Sequence, residues 1–493
     1  MNFPFIPPSD KLETARIAAS SRYTPRAVPW ISPVIGGGVI LLFVALVAMA
    51  FLRQGLAAWG IGLVYIFYDT CLLAFTGWQT RRLGNIAGDT LLGVPYKGSH
   101  PTGDSEYAVP TLAVIIAAHN EERALAVTID ALTAQSDPPD LILIADDGST
   151  DGSAALLQTR YGLSADDPAS ITSTGLHWLR LTHGGKACAL NAALAHVDCD
   201  IVITVDADTL LESHAIAAMR ESFAREPALV AATGVLTPVC GKSLRARLFQ
   251  WFQTYEYVRN FTSRYAWMQI NGLLLISGAF AAFRRDAVVT VGGFDPDCLV
   301  EDYELIHRLH RWSAEHGLDW TVRVIGTARA RTDAPETLMT FLRQRRRWFA
   351  GFLQTQRWNR DMTGNSAFGR LGTAMMPVKA LDTLQPIYGL TAFALLIGFV
   401  AAGRYALAFP ILLVMIAKII VDLAFHLWSL HLYRNWTGDE QSKGAAKAVL
   451  AAILEPFSFQ LLRHAGAAWG WWTFLTGQHS WGRQSRGGIM AQG

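Results

Sequence analysis

Apolar residues fall into two kinds of run along this chain. Long runs lie toward both ends. Ile31 to Leu52 is apolar and uncharged, long enough for the ~20 residues that a membrane-crossing helix needs. A second such run fits between Arg53 and Arg81, with Asp69 its one charge. Gln385 to Gly403 is again apolar and uncharged, and Tyr405 to Leu430 is apolar but carries Lys418, Asp422 and His426. From about Pro110 to Ala330 the apolar runs are short. TLAVIIAA, DLILIADD, LHWLRL and DIVITVDAD have strand length, and helix-like patterns separate them at 121–134, 152–160 and 185–196. Strand alternating with helix predicts an α/β domain with a mostly parallel sheet, whose ligands bind at the carboxyl ends of the strands.

The pattern divides the chain into an N-terminal segment (1–30), two transmembrane helices (31–80), the α/β domain (105–334), interfacial helices (335–382) and two further transmembrane helices (383–430). A segment at 445–475 and a basic tail (476–493) follow. Lys447, Glu455, Pro456, Gln460, Arg463 and His464 interrupt 445–475, which reads as a third C-terminal span or as a re-entrant or interfacial segment. Lys11, Arg16, Arg22 and Arg26 precede the first span and Arg81 and Arg82 follow the second, whereas Arg53 stands alone between them. The positive-inside rule then puts both flanks and the α/β domain in the cytoplasm, in a multi-pass protein of the inner (plasma) membrane. No small-residue cleavage site accompanies the first span, which reads as an anchor rather than a removed signal peptide. Lys418 and Asp422 are spaced to pair on one helix face, either lowering the cost of insertion or lining a polar path.

Composition sharpens this picture. Apolar residues make up 51% of the 493 residues and charged ones 17%, with 16 Trp, which suits a chain with membrane segments. The formal net charge of +2 gives no basic field for a nucleic acid. The five cysteines show no CxxC spacing, so a disulfide framework or zinc site is not expected.

Candidate chemistry sits at strand ends. In IADDGSTD a strand runs into Asp146 and Asp147 and then a turn; such carboxylates cap the turn or accept hydrogen bonds from a ribose or base. In VDADT, Asp206 and Asp208 follow a strand with one residue between them. They repel unless a cation joins them or one takes a proton, and hard oxygen ligands suit Mg²⁺ or Mn²⁺ bridging to phosphates. Glu301 and Asp302 in LVEDYEL are either helix-dipole partners or hold a general base. THGGKACALNAAL brings Lys186 into a helix after a Gly-rich turn, where it can meet a phosphate, although the spacing is not that of a P-loop. LRQRRRWFAG places four arginines just before a long apolar segment.

AAHNEE, DDGSTD, HGGKACALN, DAD, SGAFAAFRR, ED and QRRRW occur in that order between Pro110 and Gly351. Together they resemble the membrane-integrated family-2 glycosyltransferases, the cellulose, hyaluronan, chitin and poly-N-acetylglucosamine synthases. QRRRW fits that family's QxxRW signature. The resemblance implies a GT-A catalytic domain between N- and C-terminal transmembrane helices and a UDP-sugar donor, glucose or N-acetylglucosamine. It also implies Mg²⁺ or Mn²⁺ as cofactor and a growing glycan or a lipid as acceptor. Carried over by position, Asp147 contacts the uridine with Asp146 beside it, and Asp206 and Asp208 hold the sugar nucleotide and the metal. Lys186 and Arg347 stabilise the leaving diphosphate. Asp302 is the base, and Gln344 and Trp348 form the acceptor end. Arg343, Arg345 and Arg346 need only face lipid headgroups or anionic side chains.

Some features depart from the family. LVED stands where many relatives have Thr before the Glu-Asp pair, and SGAF differs from the cellulose-synthase motif. No cyclic-dinucleotide domain is expected after the membrane region, which favours a β-linked polymer other than cellulose. The tail SWGRQSRGG resembles Trp- and Arg-containing tails that follow the last membrane segments of relatives, and is either a gating loop over the substrate or a contact with anionic lipid. The implied activity is inverting and processive synthesis coupled to translocation. The alternatives are a non-processive transferase acting on a ceramide or polyprenyl phosphate, and a channel or scaffold with a degenerate nucleotide domain. The intact set of Asp147, Asp206, Asp208 and Asp302 argues against the last.

Overall fold

The computed structural model describes residues 9–53, 55–85, 109–165, 174–438 and 445–477. The expectations for 1–8, for 105–108 and for the tail from 478 onward, its gating loop included, lie outside the described residues. Helices α1 (Ser9–Ala19), α2 (Ile31–Leu52) and α3 (Gly60–Thr80) open the chain. The α/β domain follows as β1 (Leu112–Ala118), α4 (Glu122–Thr133), β2 (Leu141–Asp146), α5 (Ser153–Tyr161), β3 (Gly175–Arg180), α6 (Lys186–Leu194), β4 (Ile201–Asp206) and β5 (Thr209–Leu211). It continues through α7 (Ala215–Arg225), β6 (Leu229–Val239), α8 (Leu244–Met268), β7 (Phe280–Arg284), α9 (Arg285–Thr290), α10 (Glu301–Glu315) and β8 (Thr321–Asp333). Then come α11 (Leu338–Trp358), α12 (Met376–Ala401), α13 (Tyr405–Thr437), α14 (Ala445–Leu454) and α15 (Phe459–Thr476).

The eight strands form one sheet in the order β3-β2-β1-β4-β7-β6-β8-β5. β1 to β4 are mutually parallel, as the strand–helix alternation predicts. Beyond β4 the sheet is mixed: β7 runs antiparallel to both β4 and β6, β6 and β8 are parallel, and β5 is antiparallel to β8. Burial on both faces explains why β1, β2 and β4 read as unbroken apolar runs rather than alternating ones. The register sets Asp146 opposite Ala118 and Asp206 opposite Ala117, so both carboxylates end their strands at one edge of the sheet.

Among the described residues, four helical stretches are long and apolar enough to cross a membrane: Ile31–Leu52, Gly55–Leu83, Leu371–Ala401 and Tyr405–Thr437. The 445–475 region is not among them. It breaks at Glu455 and Pro456 into α14 and α15, and α15 packs along α11 and α12. Small residues permit that approach. A Cβ on Gly470 would lie 2.9 Å from the Arg346 carbonyl oxygen and from Phe349 Cβ, both on α11. Helix α11 starts in a capping box, in which Thr337 and Thr340 hydroxyls satisfy each other's backbone N–H groups.

Gly470→Leu therefore forces α15 off α11. The expected result is a loss of roughly 1–3 kcal/mol, typical of overpacking, read as a lower melting temperature in detergent. An unchanged melting temperature would show that this contact is not tight.

Candidate active site

A cavity of about 2390 Å³ runs from the carboxyl ends of β1, β2 and β4 to the inner faces of α3, α12 and α13. It is larger than the roughly 300–1,000 Å³ of a pocket for one small ligand. Asp147, Lys186, Asp206, Asp208, Asp302, Gln344, Arg347 and Trp348 all line it. Asp146 does not. Its carboxylate points into the domain, accepting from Ser149 N (2.9 Å) and Trp178 Nε1 (3.3 Å), so it anchors the turn after β2. Asp147 accepts from the backbone N–H groups of Gly184 (2.7 Å) and Gly185 (3.0 Å) and meets His183 Nδ1 at 2.9 Å. That fixes the HGGK turn against β2. Gly148 at φ +65° makes room for it, since a Cβ there would strike His183 N.

The turn delivers Lys186 to the first position of α6. Its ammonium lies 2.5 Å from Asp206 Oδ1 and 3.7 Å from Glu301 Oε1. Burial opposes the charge, but Asp206, Glu301 and Asp302 outweigh it and hold the Lys186 pKa well above its ordinary value. Burial likewise raises Glu301, against the pull of Lys186. Asp302 sits in the first turn of α10, where the helix N-terminus favours a negative charge. Its Oδ2 accepts from Gly278 N (2.7 Å) and its Oδ1 from Tyr303 N (2.8 Å).

Deeper bonds keep α6 and α10 in step. Asn191 of α6 exchanges two hydrogen bonds with Phe294, at 2.7 and 2.8 Å. Arg308 of α10 pairs with Glu304 at 2.6 Å and donates to the Val291 and Gly293 carbonyls. The GGF turn between them is thereby held from both sides, and with it the spacing of Lys186 and Asp302.

On the opposite wall, Arg347 donates to the Leu299 carbonyl (3.2 Å), just ahead of Glu301. Gln344 is buried, its Oε1 without a hydrogen-bond partner among the described residues. Arg345 does not face headgroups: it grips Glu256 of α8 with both terminal nitrogens (2.7 and 2.8 Å) and covers the Trp348 ring at 4.7 Å. Arg346 lies over Trp469, 4.8 Å from its ring centre. Two histidines escaped the sequence reading although both stand in quoted motifs. His119 and His183 stack at 4.2 Å, and with Asp147 they form a cluster able to hold a metal ion. Gly278, in SGAF, also escaped it, because a backbone donor carries no residue-type signal.

This is a GT-A-type fold whose strand-end carboxylates converge on one cavity. Residues 201–421 match the model of the family described as Glycosyl transferase family group 2. The poly-beta-1,6-N-acetyl-D-glucosamine synthase of Staphylococcus epidermidis (strain RP62A) is 26% identical over 258 residues, 52% of this chain and 58% of that protein. That of Staphylococcus aureus (strain COL) is 28% identical over 241 residues, 49% of this chain and 54% of that protein. The chain thus matches just over half the length of these relatives. A mannosyltransferase from Pyrobaculum calidifontis, solved with GDP-Man and Mn²⁺, is similar at a TM-score of 0.49 and 21% identity, covering 86% of this chain and 99% of its own. The chain is thus similar over residues 201–421 to the family-2 glycosyltransferases, and over about half its length to two polysaccharide synthases.

Behind Asp302, α10 buries His307, whose pKa burial lowers to about 3. An unfolded histidine titrates near 6.5, so this stability is present above about pH 6.5 and is lost as pH falls toward 3. Stability should fall below pH 6.5 by up to about 1.4 kcal/mol per pH unit from this one group, read as a falling melting temperature. His307→Gln should flatten that drop; parallel pH profiles for the two proteins would refute it.

Proposed function

We propose that the protein is an inverting, processive glycosyltransferase that builds a β-linked polysaccharide from a UDP-sugar and passes it into the membrane. The single observation carrying this reading is the continuity of the cavity from Asp206 and Asp302 to the space among α3, α12 and α13. N-acetylglucosamine is the sugar to test first, because the staphylococcal relatives are named for it. By the charge asymmetry of the flanks, the catalytic domain faces the cytoplasm.

The acceptor hydroxyl loses its proton to the Asp302 carboxylate as its oxygen attacks the anomeric carbon. The bond from that carbon to the diphosphate breaks, and UDP leaves with the electron pair. One displacement inverts an α-linked donor to a β-linked product. Asp302 is preset for this, held by Gly278 N–H with its charge supported by the helix terminus. Asp206 and Asp208 offer oxygen ligands that fit Mg²⁺ or Mn²⁺, and Lys186 beside Asp206 already marks the place as one that takes a cation. The chemistry such an ion supplies is neutralisation of the diphosphate. Lys186 and Arg347 line the same stretch of cavity and bear on the leaving group. Trp348 offers a ring for a sugar to stack on.

A lipid acceptor is the second reading, and the membrane-level lining weighs against it. Tyr65 OH meets Gln460 (3.1 Å) and Gln385 (3.4 Å), and Lys418 bridges Asp69 and Asp422 across α3 and α13. All six line the cavity. Charges and amides at that depth are costly beside acyl chains and suit a hydroxyl-rich chain.

Purified protein given radiolabelled UDP-N-acetylglucosamine or UDP-glucose with Mg²⁺ or Mn²⁺ should yield high-molecular-weight product; a single labelled lipid would replace this reading by the second. Asp302→Asn should cut transfer by about 10²–10⁴-fold and leave donor affinity near the wild-type value. Surviving transfer would remove Asp302 as base. Gly278→Ala puts a Cβ 2.8 Å from Asp302 Oδ2 and should cost about 10²-fold in turnover through misplacement of the carboxylate.

A further inference from the structure

Helix α8 crosses between the sheet and the membrane helices, packing on β6 and β8 on one side and on α3 and α13 on the other. Tyr257, Asn260, Phe261 and Arg264 follow one another at helical spacing and all line the cavity. Phe261 is buried beneath the stripe, and the Arg264 guanidinium lies over its ring at 4.6 Å. Buried arginines are ordinarily paired, as Arg345, Arg308 and Arg311 are here. Arg264, which is half-buried, differs from these three. Its Nε and Nη1 are buried without a hydrogen-bond partner among the described residues. Burial lowers its pKa to about 10, with the charges of Tyr257 and Asp302 acting to raise it. Two buried guanidinium donors without an acceptor are costly unless something brings oxygen atoms to them.

The stripe lies on the acceptor side of the base. Lys186, Asp206 and Asp208 belong to the strand-end side. Tyr257 follows Glu256, which Arg345 ties to the same helix as Gln344 and Trp348. We infer that Tyr257, Asn260 and Arg264 form an acceptor subsite that binds the uncharged, oxygen-bearing end of the glycan, with Arg264 donating to a hydroxyl or N-acyl carbonyl. The inference rests on the glycosyltransferase reading of this site. It also sets a specificity. A terminal sugar carrying a free ammonium group brings a like charge toward Arg264, which has no carboxylate in ion-pair contact among the described residues, so the subsite selects N-acylated or hydroxylated sugars over amino sugars.

The test is direct binding to the full-length protein in detergent, with UDP as donor-side probe. The acceptor probes are a β-linked N-acetylglucosamine tetramer and its de-N-acetylated form. Wild type should bind the acetylated tetramer more tightly than the deacetylated one. Arg264→Gln should weaken the acetylated tetramer on the order of tenfold, narrow the preference between the two, and leave UDP affinity unchanged. Arg264→Lys, which keeps the charge without the planar donors, should recover only part of the affinity. Asn260→Ala, at an exposed position, tests the stripe without risk to the core and should weaken the acetylated tetramer alone. Equal tetramer binding by wild type and Arg264→Gln overturns the inference, as does failure of wild type to bind the tetramer, or a matching loss of UDP affinity. A wild type that binds the tetramer but transfers no sugar from any sugar nucleotide sinks the proposed function and leaves the subsite standing.

Discussion

Asp206, Asp208, Glu301 and Asp302 face one cavity, and their mutual repulsion is the constraint around which the site is arranged. One lysine does most of the balancing. Lys186 reaches Asp206 and Glu301 together, which is possible because α6 begins where the parallel strands end and α10 begins across the cleft. The N-terminus of α10 supplies the rest. Geometry this close depends on rigid backing. The Asn191–Phe294 and Arg308–Gly293 bonds form a brace between the two helices, and none of these four residues lines the cavity. The brace thereby links the helix that carries Lys186 to the one that carries Asp302.

The same logic joins the soluble and membrane parts. Arg345 pairs with Glu256, Arg463 lies 3.6 Å from Glu256 and 2.8 Å from Glu455, and Arg259 holds Glu455. This ionic chain links α11, α8 and α15 beside the cavity. Each charge in it is largely buried, and each has an opposite partner, so the desolvation cost is met by geometry rather than by solvent. The arginine run before the apolar segment thus acts inward, as a clasp between helices, more than outward toward lipid.

Some of this was legible in the sequence. Fully buried parallel strands must read as unbroken apolar runs, so β1, β2 and β4 were visible, and so were the carboxylates that end them. The mixed half of the sheet was not visible. Nothing in FAAFR distinguishes a strand running antiparallel to its neighbours from one running parallel, because the direction is set by the chain path through α8. Asp146 and Asp147 are adjacent and chemically identical, yet the pleat turns one inward and the other to the cavity. Arg264 was hidden for a different reason. An arginine in an amphipathic helix reads as a solvated residue until the partner that should neutralise it is found missing.

The balance of charges along the cavity bears on what the proposed function would move through it. At the sheet end, carboxylates outnumber the lysine between them, an environment for a cation and a diphosphate. Along α8 the sign reverses at Arg264. Between α3 and α13 one lysine sits between two aspartates, with tyrosine and glutamine amides beside them. An anionic chain would meet Asp69 and Asp422, and a cationic one would first have to pass Arg264. A neutral chain pays neither penalty, and its hydroxyls and amides can exchange hydrogen bonds with each group in turn. On the proposed function, this alternation of sign favours an uncharged glycan over charged polymers.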